Sequence, residues 1–359
     1  MRRLRVLTWH IHGNYLLYLS QAGVDFYLPV KPGRHEGYGG RGNTFPFGEN
    51  VRDVPADAVR RLELDCVLFQ TRTNYLVDQY EILSEAQRRL PRMYLEHDPP
   101  QEHPTDTRHW ADDPNILLVH VTPFNALMWD SERTPTRVID HGVLVPRGVQ
   151  YSGDIERGLV VINHLRQRGR RLGADVFERV REEIPLDLVG MDSESLGGLG
   201  EIPPPDLAAF ESRYRFFFNP IRYTSLGLAV IEAMTLGMPI VGLATTEMAT
   251  AIQNGVSGYV DTDVGRLLEP MRDLLAHPEE ARRLGRGAHR YALERFPIDR
   301  FVRDWEETFA LVTGRPCRQS SSLQPDAARS GIRQNSDDRR RNSGEFRYGQ
   351  RQEAQGGVS

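Results

Sequence analysis

Residues 215–241, RFFFNPIRYTSLGLAVIEAMTLGMPIV, constrain the fold more than any other stretch of the chain. The apolar run Phe216-Phe217-Phe218 is short and closed by Asn219-Pro220, a pattern that predicts a buried parallel strand. A polar loop follows over residues 221–225, and Thr224 or Ser225 can cap the helix that comes next. That helix runs through Leu226, Ala229, Val230, Ile231, Ala233 and Met234 and stops at Gly237, the usual left-handed terminator. A second strand begins at Pro239. The expectation is one βαβ unit with Gly227 in the first helical turn.

A helix start carries unpaired N–H groups and partial positive charge, so it holds phosphate where its side chains are small. Gly227 and the Leu228 backbone meet that need. Glu232 stands four residues beyond Leu228, on the same face and about 6 Å further along the axis. A nucleoside diphosphate seated at the helix start would bring its ribose hydroxyls to Glu232. The same spacing also fits a carboxylate on the solvent face of an amphipathic helix, and the helix alone does not separate the two.

Further motifs come in a set order. The segment TSLGLAVIEAMTLGMPIVGLA is followed by NGVSGYV at 254–260 and by ERFPIDRFVRDWEETF, while HGV at 141–143 runs on into VLVPRG. This series resembles the retaining, nucleotide-sugar-dependent glycosyltransferases of GT-B architecture, group 1 or family 4 type. Their donor signature is Glu-Gly-Phe-Gly-Leu, three residues, Glu, then Ala-Met/Ala, Gly, Pro and a β run. The likeness covers the first 313 residues in outline and is specific in the second half, position by position from Gly227 onward. The family's first glutamate falls at Thr224, and the second is kept as Glu232. The lost carboxylate bears on sugar recognition and turnover, and leaves phosphate and ribose binding untouched.

The resemblance implies an α/β protein of two doubly wound, Rossmann-like domains facing a cleft. It divides the chain into an acceptor-side domain (1–148), a nucleotide-sugar-binding domain (149–294), a C-terminal helix crossing back to the first domain (295–313) and a tail (314–359). It also implies roles. Gly227 and Leu228 would seat the diphosphate, with Thr224 and Ser225 as further donor contacts, and Glu232 would bind ribose. His97, in EHDPP after a strand, would orient the donor sugar, while Gly13 and Asn14 would approach the diphosphate. Ile202 would meet the base through its backbone. Arg168, in the cluster RQRGRR, takes a place where the family carries a Lys, and the family's Arg falls at Asn163 or His164. Such arginines steady the charge that builds on a departing diphosphate, although an exposed basic helix face explains any one of them equally well. The implied reaction is same-face sugar transfer to a hydroxyl acceptor, with no cofactor beyond the nucleotide sugar and no metal.

Two other readings stand beside it. With Thr224 in the motif, the chain would be a non-catalytic binder of nucleotide sugar or glycan. Alternatively His10, His12, His97, Asp98, His103 and His109 would supply ligands for a metal-dependent hydrolase. His10 and His12, alternate residues at the end of a strand, would then share a face. An oxidoreductase is disfavoured because HIHGNY, not a triple-glycine turn, follows the first strand.

Composition bounds these readings. A chain of 359 residues exceeds what one core usually serves, and 39% hydrophobic residues suffice for two. A net charge of -4 gives no reason to expect nucleic acid. The apolar start is broken by His10, His12 and Gly13 before it can act as a signal core, and no membrane-spanning run follows. Cys66 and Cys317 form no disulfide framework. A cytoplasmic enzyme is expected, with a nucleoside-diphosphate sugar, a hydroxyl acceptor and at most a peripheral membrane contact as partners.

Strands are predicted at 5–9, 26–30, 66–70, 93–96, 116–122, 158–163, 186–190, 216–218 and 239–242. Helices are predicted around 76–90 and 124–130, and a basic helix after 163. The glycine-rich loop 31–50 reads as a site border or a mobile segment. Beyond Gly314 apolar residues nearly vanish, which predicts disorder.

Overall fold

The computed structural model of the protein describes residues 2–33, 35–144 and 146–317. Val145 of the expected interdomain link, and the expected tail from residue 318 onward, lie outside the described residues.

Seven strands form the first sheet: β1 (Arg5–Thr8), β2 (Asp25–Val30), β3 (Val51–Pro55), β4 (Cys66–Phe69), β5 (Arg92–Glu96), β6 (Ile116–His120) and β7 (Thr136–Val138). They lie in the order β3-β2-β1-β4-β5-β6-β7, with every neighbouring pair parallel. Five strands form the second: β8 (Ile155–Val161), β9 (Leu186–Val189), β10 (Tyr214–Asn219), β11 (Ile240–Leu243) and β12 (Gly258–Asp261). Their order is β12-β11-β10-β8-β9, again all parallel. The winding reverses beside β1 in one sheet and β8 in the other, which opens a crevice at the carboxyl ends of the strands.

Helices α1 (Gly13–Leu19), α2 (Gln79–Ile82) and α3 (Pro123–Met128) accompany the first sheet. Those of the second are α4 (Leu165–Arg168), α5 (Ala174–Arg181), α6 (Pro204–Glu211), α7 (Leu228–Leu236), α8 (Met248–Ala251) and α9 (Val264–Ala276), followed by α10 (Pro278–Arg295) and α11 (Ile298–Thr313).

The centre of the second sheet shows why this sequence adopts it. Parallel strands are covered on both faces, and every residue of β10 is buried. Phe216 occupies the space beside Gly158 of β8, where an added Cβ would lie 2.4 Å from the ring. Arg215 is also buried, and its guanidinium is satisfied by the carbonyls of Gly153 (2.8 Å), Leu274 (3.2 Å) and Leu275 (2.5 Å). The last two lie at the C-terminal end of α9, where a cation is favoured.

α11 leaves the second sheet and packs under the first. Phe301 meets the Tyr15 ring edge-on at 5.4 Å, Phe309 meets Phe26 at 6.2 Å, and Trp305 Nε1 donates to the Tyr15 hydroxyl at 3.2 Å. The Gly23 amide donates to Glu306 at 2.9 Å.

Several expected elements differ. Neither β3 nor β7 is signalled by an apolar run, because both are edge strands with mostly solvent-facing residues. The helix expected over 76–90 is a π-turn at Asn74–Asp78, one α turn and a 3-10 turn at Gln87–Arg89; Leu76, Val77 and Tyr80 are exposed and define no single core face. The basic helix after 163 is only the single turn α4 and a 3-10 turn, ended at Gly173, whose φ of +82° suits glycine. Loop 31–50 is anchored: Tyr38 and Phe47 are buried in it, and Gly37 and Gly39 bridge to His10 and Val30. Among the described residues no helix is long and apolar enough to cross a membrane, and both cysteines are unpaired.

Candidate active site

The carboxyl ends of β1, β5, β8 and β10 bring the candidate residues to one cleft. α7 opens there. Its N-cap is Gly227 in extended conformation (φ −68°, ψ 139°), so Gly227 precedes the first helical turn rather than lying in it. No side chain caps the helix, and an added Cβ at Gly227 would meet nothing within 4 Å. The leading amides of Leu228 and its neighbours are thus left for water or an anion.

Thr224 and Ser225 do not cap α7. Their hydroxyls reach the other domain instead: Thr224 donates to Asp98 Oδ1 at 3.1 Å and Ser225 to the His97 carbonyl at 2.5 Å. Residues 222–225 form a run of bends, and the N-cap position itself falls to Gly227, two residues beyond Ser225. Asp98 therefore brings a carboxylate from the first domain to the residue that replaces the signature's first glutamate.

Glu232 is half-buried on α7 and faces α1, not open solvent. Its Oε1 accepts from Asn14 Nδ2 at 3.1 Å and from the Tyr18 hydroxyl at 2.6 Å. Asn14 and Tyr18 are four residues apart and share one face of α1. Both bonds fall on Oε1, which leaves Oε2 for a ligand. Burial raises the Glu232 carboxyl above its usual pKa, and the Tyr18 and Asn14 bonds work against that rise. Glu211, buried at the end of α6, is pushed well above the carboxylate range by burial and by the Glu232 charge.

His97 follows β5 and is half-buried. Its tautomer is fixed by Gln70, a buried residue at the end of β4. The Gln70 amide nitrogen donates to the Trp9 carbonyl at 2.7 Å and to Thr8 Oγ1 at 2.8 Å, so its oxygen must face His97 Nε2 at 3.0 Å. Nε2 is then the protonated nitrogen and Nδ1 keeps its lone pair. Burial, and after it the charges of His12 and His141, hold His97 well below the ordinary histidine pKa.

His12 lies 4.0 Å from the His97 ring, centroid to centroid. Burial lowers its pKa most; the Asp98 charge pulls it up, and the charge of Arg168, an exposed residue of α4, pushes it down. The pairing expected of His10 and His12 does not occur. β1 ends at Thr8, and His10 Nδ1 turns to the Gly40 carbonyl at 2.5 Å.

Other expected residues sit apart from this cluster. Gly13 is covered by Phe45, whose ring would lie 2.0 Å from an added Cβ, while its neighbour Asn14 reaches Glu232. Ile202 lies half-buried between β9 and α6 and packs on the main core. Asn163 accepts from the Met191 amide at 2.9 Å, and His164 adopts a left-handed backbone with Nε2 unbonded. Of the basic cluster, Arg166 is tied to the Ser195 carbonyl and Arg170 to Asp175. The histidines do not assemble into a ligand set: His109 is spent on Glu96, His103 stays in its own exposed loop, and no three His, Cys, Asp or Glu side chains gather for an ion among the described residues. Gln70, Tyr18 and Asp98 were not predicted as donor-site residues. Gln70 closes a predicted strand and Tyr18 repeats the helical spacing of Asn14, so both carried a signal.

Residues 160–277 match the family model of the glycosyl transferases group 1. That match lies within the second domain, from the end of β8 to just past α9. A curated relative, D-inositol 3-phosphate glycosyltransferase 1 of Catenulispora acidiphila, is 33% identical over 119 residues, 32% of this chain, and the match spans 28% of that relative's length. Sucrose-phosphate synthase from Thermosynechococcus elongatus superposes with a TM-score of 0.65 at 14% identity, covering 87% of this chain and 100% of that one. Anabaena Alr3699/HepE, solved with UDP-glucose, gives a TM-score of 0.62 at 14% identity, covering 86% and 100%. At such identities the likeness establishes the fold, and that fold is GT-B. The second domain contributes α7 and Glu232 to the cleft, and the first contributes His12, His97 and Asp98.

Proposed function

We propose that this chain transfers a sugar from a nucleoside diphosphate to a hydroxyl acceptor, with retention of configuration and without an obligatory metal. The observation that carries the reading is the uncapped start of α7 with Glu232 one turn beyond it, facing the first domain across the cleft. The diphosphate would sit on the α7 amides with Arg168 beside it, both supplying positive charge where negative charge builds. Glu232 Oε2 would accept from the ribose, and the Ile202 segment would flank the base. His97, neutral and with its Nε2–H engaged, presents Nδ1 as an acceptor for a donor-sugar hydroxyl.

In the reaction the bond between the sugar anomeric carbon and the β-phosphate oxygen breaks, and the diphosphate leaves with the electron pair. The acceptor oxygen bonds to the same face of that carbon and passes its proton to a departing phosphate oxygen. Thr224 favours the competing, non-catalytic reading, but Asp98 beside it keeps a carboxylate at that place. A cleft closed around the donor favours transfer over hydrolysis.

HepE was solved with UDP-glucose, so that compound is the first probe, with GDP- and ADP-glucose beside it. One of the three is expected to raise the melting temperature, and Glu232→Ala to weaken its binding about tenfold to a hundredfold, the size of a lost hydrogen bond to a charged group. No shift with any of the three, or an unchanged affinity in the variant, would rule the reading out. Binding without turnover over a broad acceptor panel would establish the non-catalytic alternative.

A further inference from the structure

The first domain holds a cavity of about 230 Å³ that opens beside His12 and His97. Its wall is aromatic: Tyr94, Trp110 and Trp129 line it, with the two indoles edge-to-face at 5.1 Å and 83°. The flanks are acidic. Glu36, Glu96, Asp98 and Glu102 line it, and among the described residues on that wall Arg72 is the one cation apart from the histidines. Arg72 is already engaged, 3.3 Å from Glu102 and over the Trp110 ring at 5.7 Å. His12 and His97 add no positive charge, since burial keeps both below the usual histidine pKa.

We infer that this cavity takes the acceptor as a hydroxylated ring that bears no phosphate: a neutral or amine-bearing sugar or cyclitol. The inference rests on the transferase reading and deepens it. Aromatic faces carry negative charge that attracts the C–H faces of such a ring, and carboxylates accept from its hydroxyl or ammonium groups. A phosphate brings a charge of about −2. It would meet four acidic side chains and a single arginine that already has a partner. The curated relative is named for a phosphorylated inositol; this wall opposes such a substituent.

The chain has four tryptophans, two of them fully buried elsewhere, so indole N–H NMR isolates the cavity. The full chain, saturated with UDP, is titrated with inositol, methyl glucoside, glucosamine and inositol 3-phosphate. Trp110→Phe and Trp129→Phe assign the signals. The three non-phosphorylated rings are expected to move both signals, with inositol 3-phosphate weaker by at least about tenfold. Glu102→Lys, which reverses charge at an exposed rim and frees Arg72, should narrow that gap. Equal or tighter binding of inositol 3-phosphate, or no movement with any ring, overturns the inference. Donor binding is followed separately by the thermal shift with nucleotide sugars. Its failure with ring binding intact removes the transferase reading and leaves the cavity chemistry standing; the reverse outcome removes the cavity assignment alone.

Discussion

At the scale of the single residue, the proton of His97 is placed by the side chain of Gln70. Gln70 cannot rotate its amide without setting two N–H groups against the Gln70-facing ring nitrogen and its own oxygen against the Trp9 carbonyl. The histidine is thereby held as the Nε2–H tautomer, neutral at and below the pH where a free histidine charges. Gln70→Glu places a carboxylate against the same nitrogen and favours the charged ring. The expected result is an acid limb of kcat that moves up by about one pH unit or more while nucleotide affinity holds. An unmoved pH profile would show that the His97 proton is irrelevant to turnover.

Helices and strands set where those residues stand. α10 carries Gly285 against the carbonyl of Gly237, at the C-terminal end of α7; an added Cβ would lie 1.9 Å from that oxygen. Gly285→Ala must push the helices apart, a strain of about 1–3 kcal/mol. Calorimetry should show a lower melting temperature together with a raised KM for donor, since α7 carries both the amides and Glu232. A variant of full stability would mean that α10 yields without disturbing α7.

The same elements show what was legible beforehand. Strands buried on both faces, such as β4 and β10, announce themselves as apolar runs, and α7 by its glycine terminator. Edge strands β3 and β7 pair only on one side and carry mostly exposed residues, so no apolar run marks them. The predicted motif located Glu232 and Gly227, which lie on one continuous segment. It was silent on Tyr18, Gln70 and Asp98 as partners, because those contacts join residues 27 to 214 positions apart. It also misread Thr224 and Ser225 as caps, since a hydroxyl that bonds across a cleft is indistinguishable in one dimension from one that bonds along its own helix.

For the molecule as a whole, Glu232 is the hinge between binding and closure. One oxygen belongs to the first domain through Tyr18 and Asn14, and the other is available to the donor, so the donor meets a carboxylate whose position already reports how the lobes stand. Tyr18→Phe removes the 2.6 Å bond and leaves the ring. Nucleotide affinity should change less than about threefold, whereas donor hydrolysis should rise relative to transfer, because a looser cleft admits water. An unaltered ratio would separate Glu232 from closure.

The return of α11 has a consequence for how the chain is made. The rings of Phe301, Trp305 and Phe309 emerge from a ribosome almost 300 residues after Tyr15 and Phe26, which they cover. During synthesis the earlier lobe waits with an apolar floor uncovered while the later lobe assembles. Completion of the lobe built first of these two thus depends on a helix made after the second.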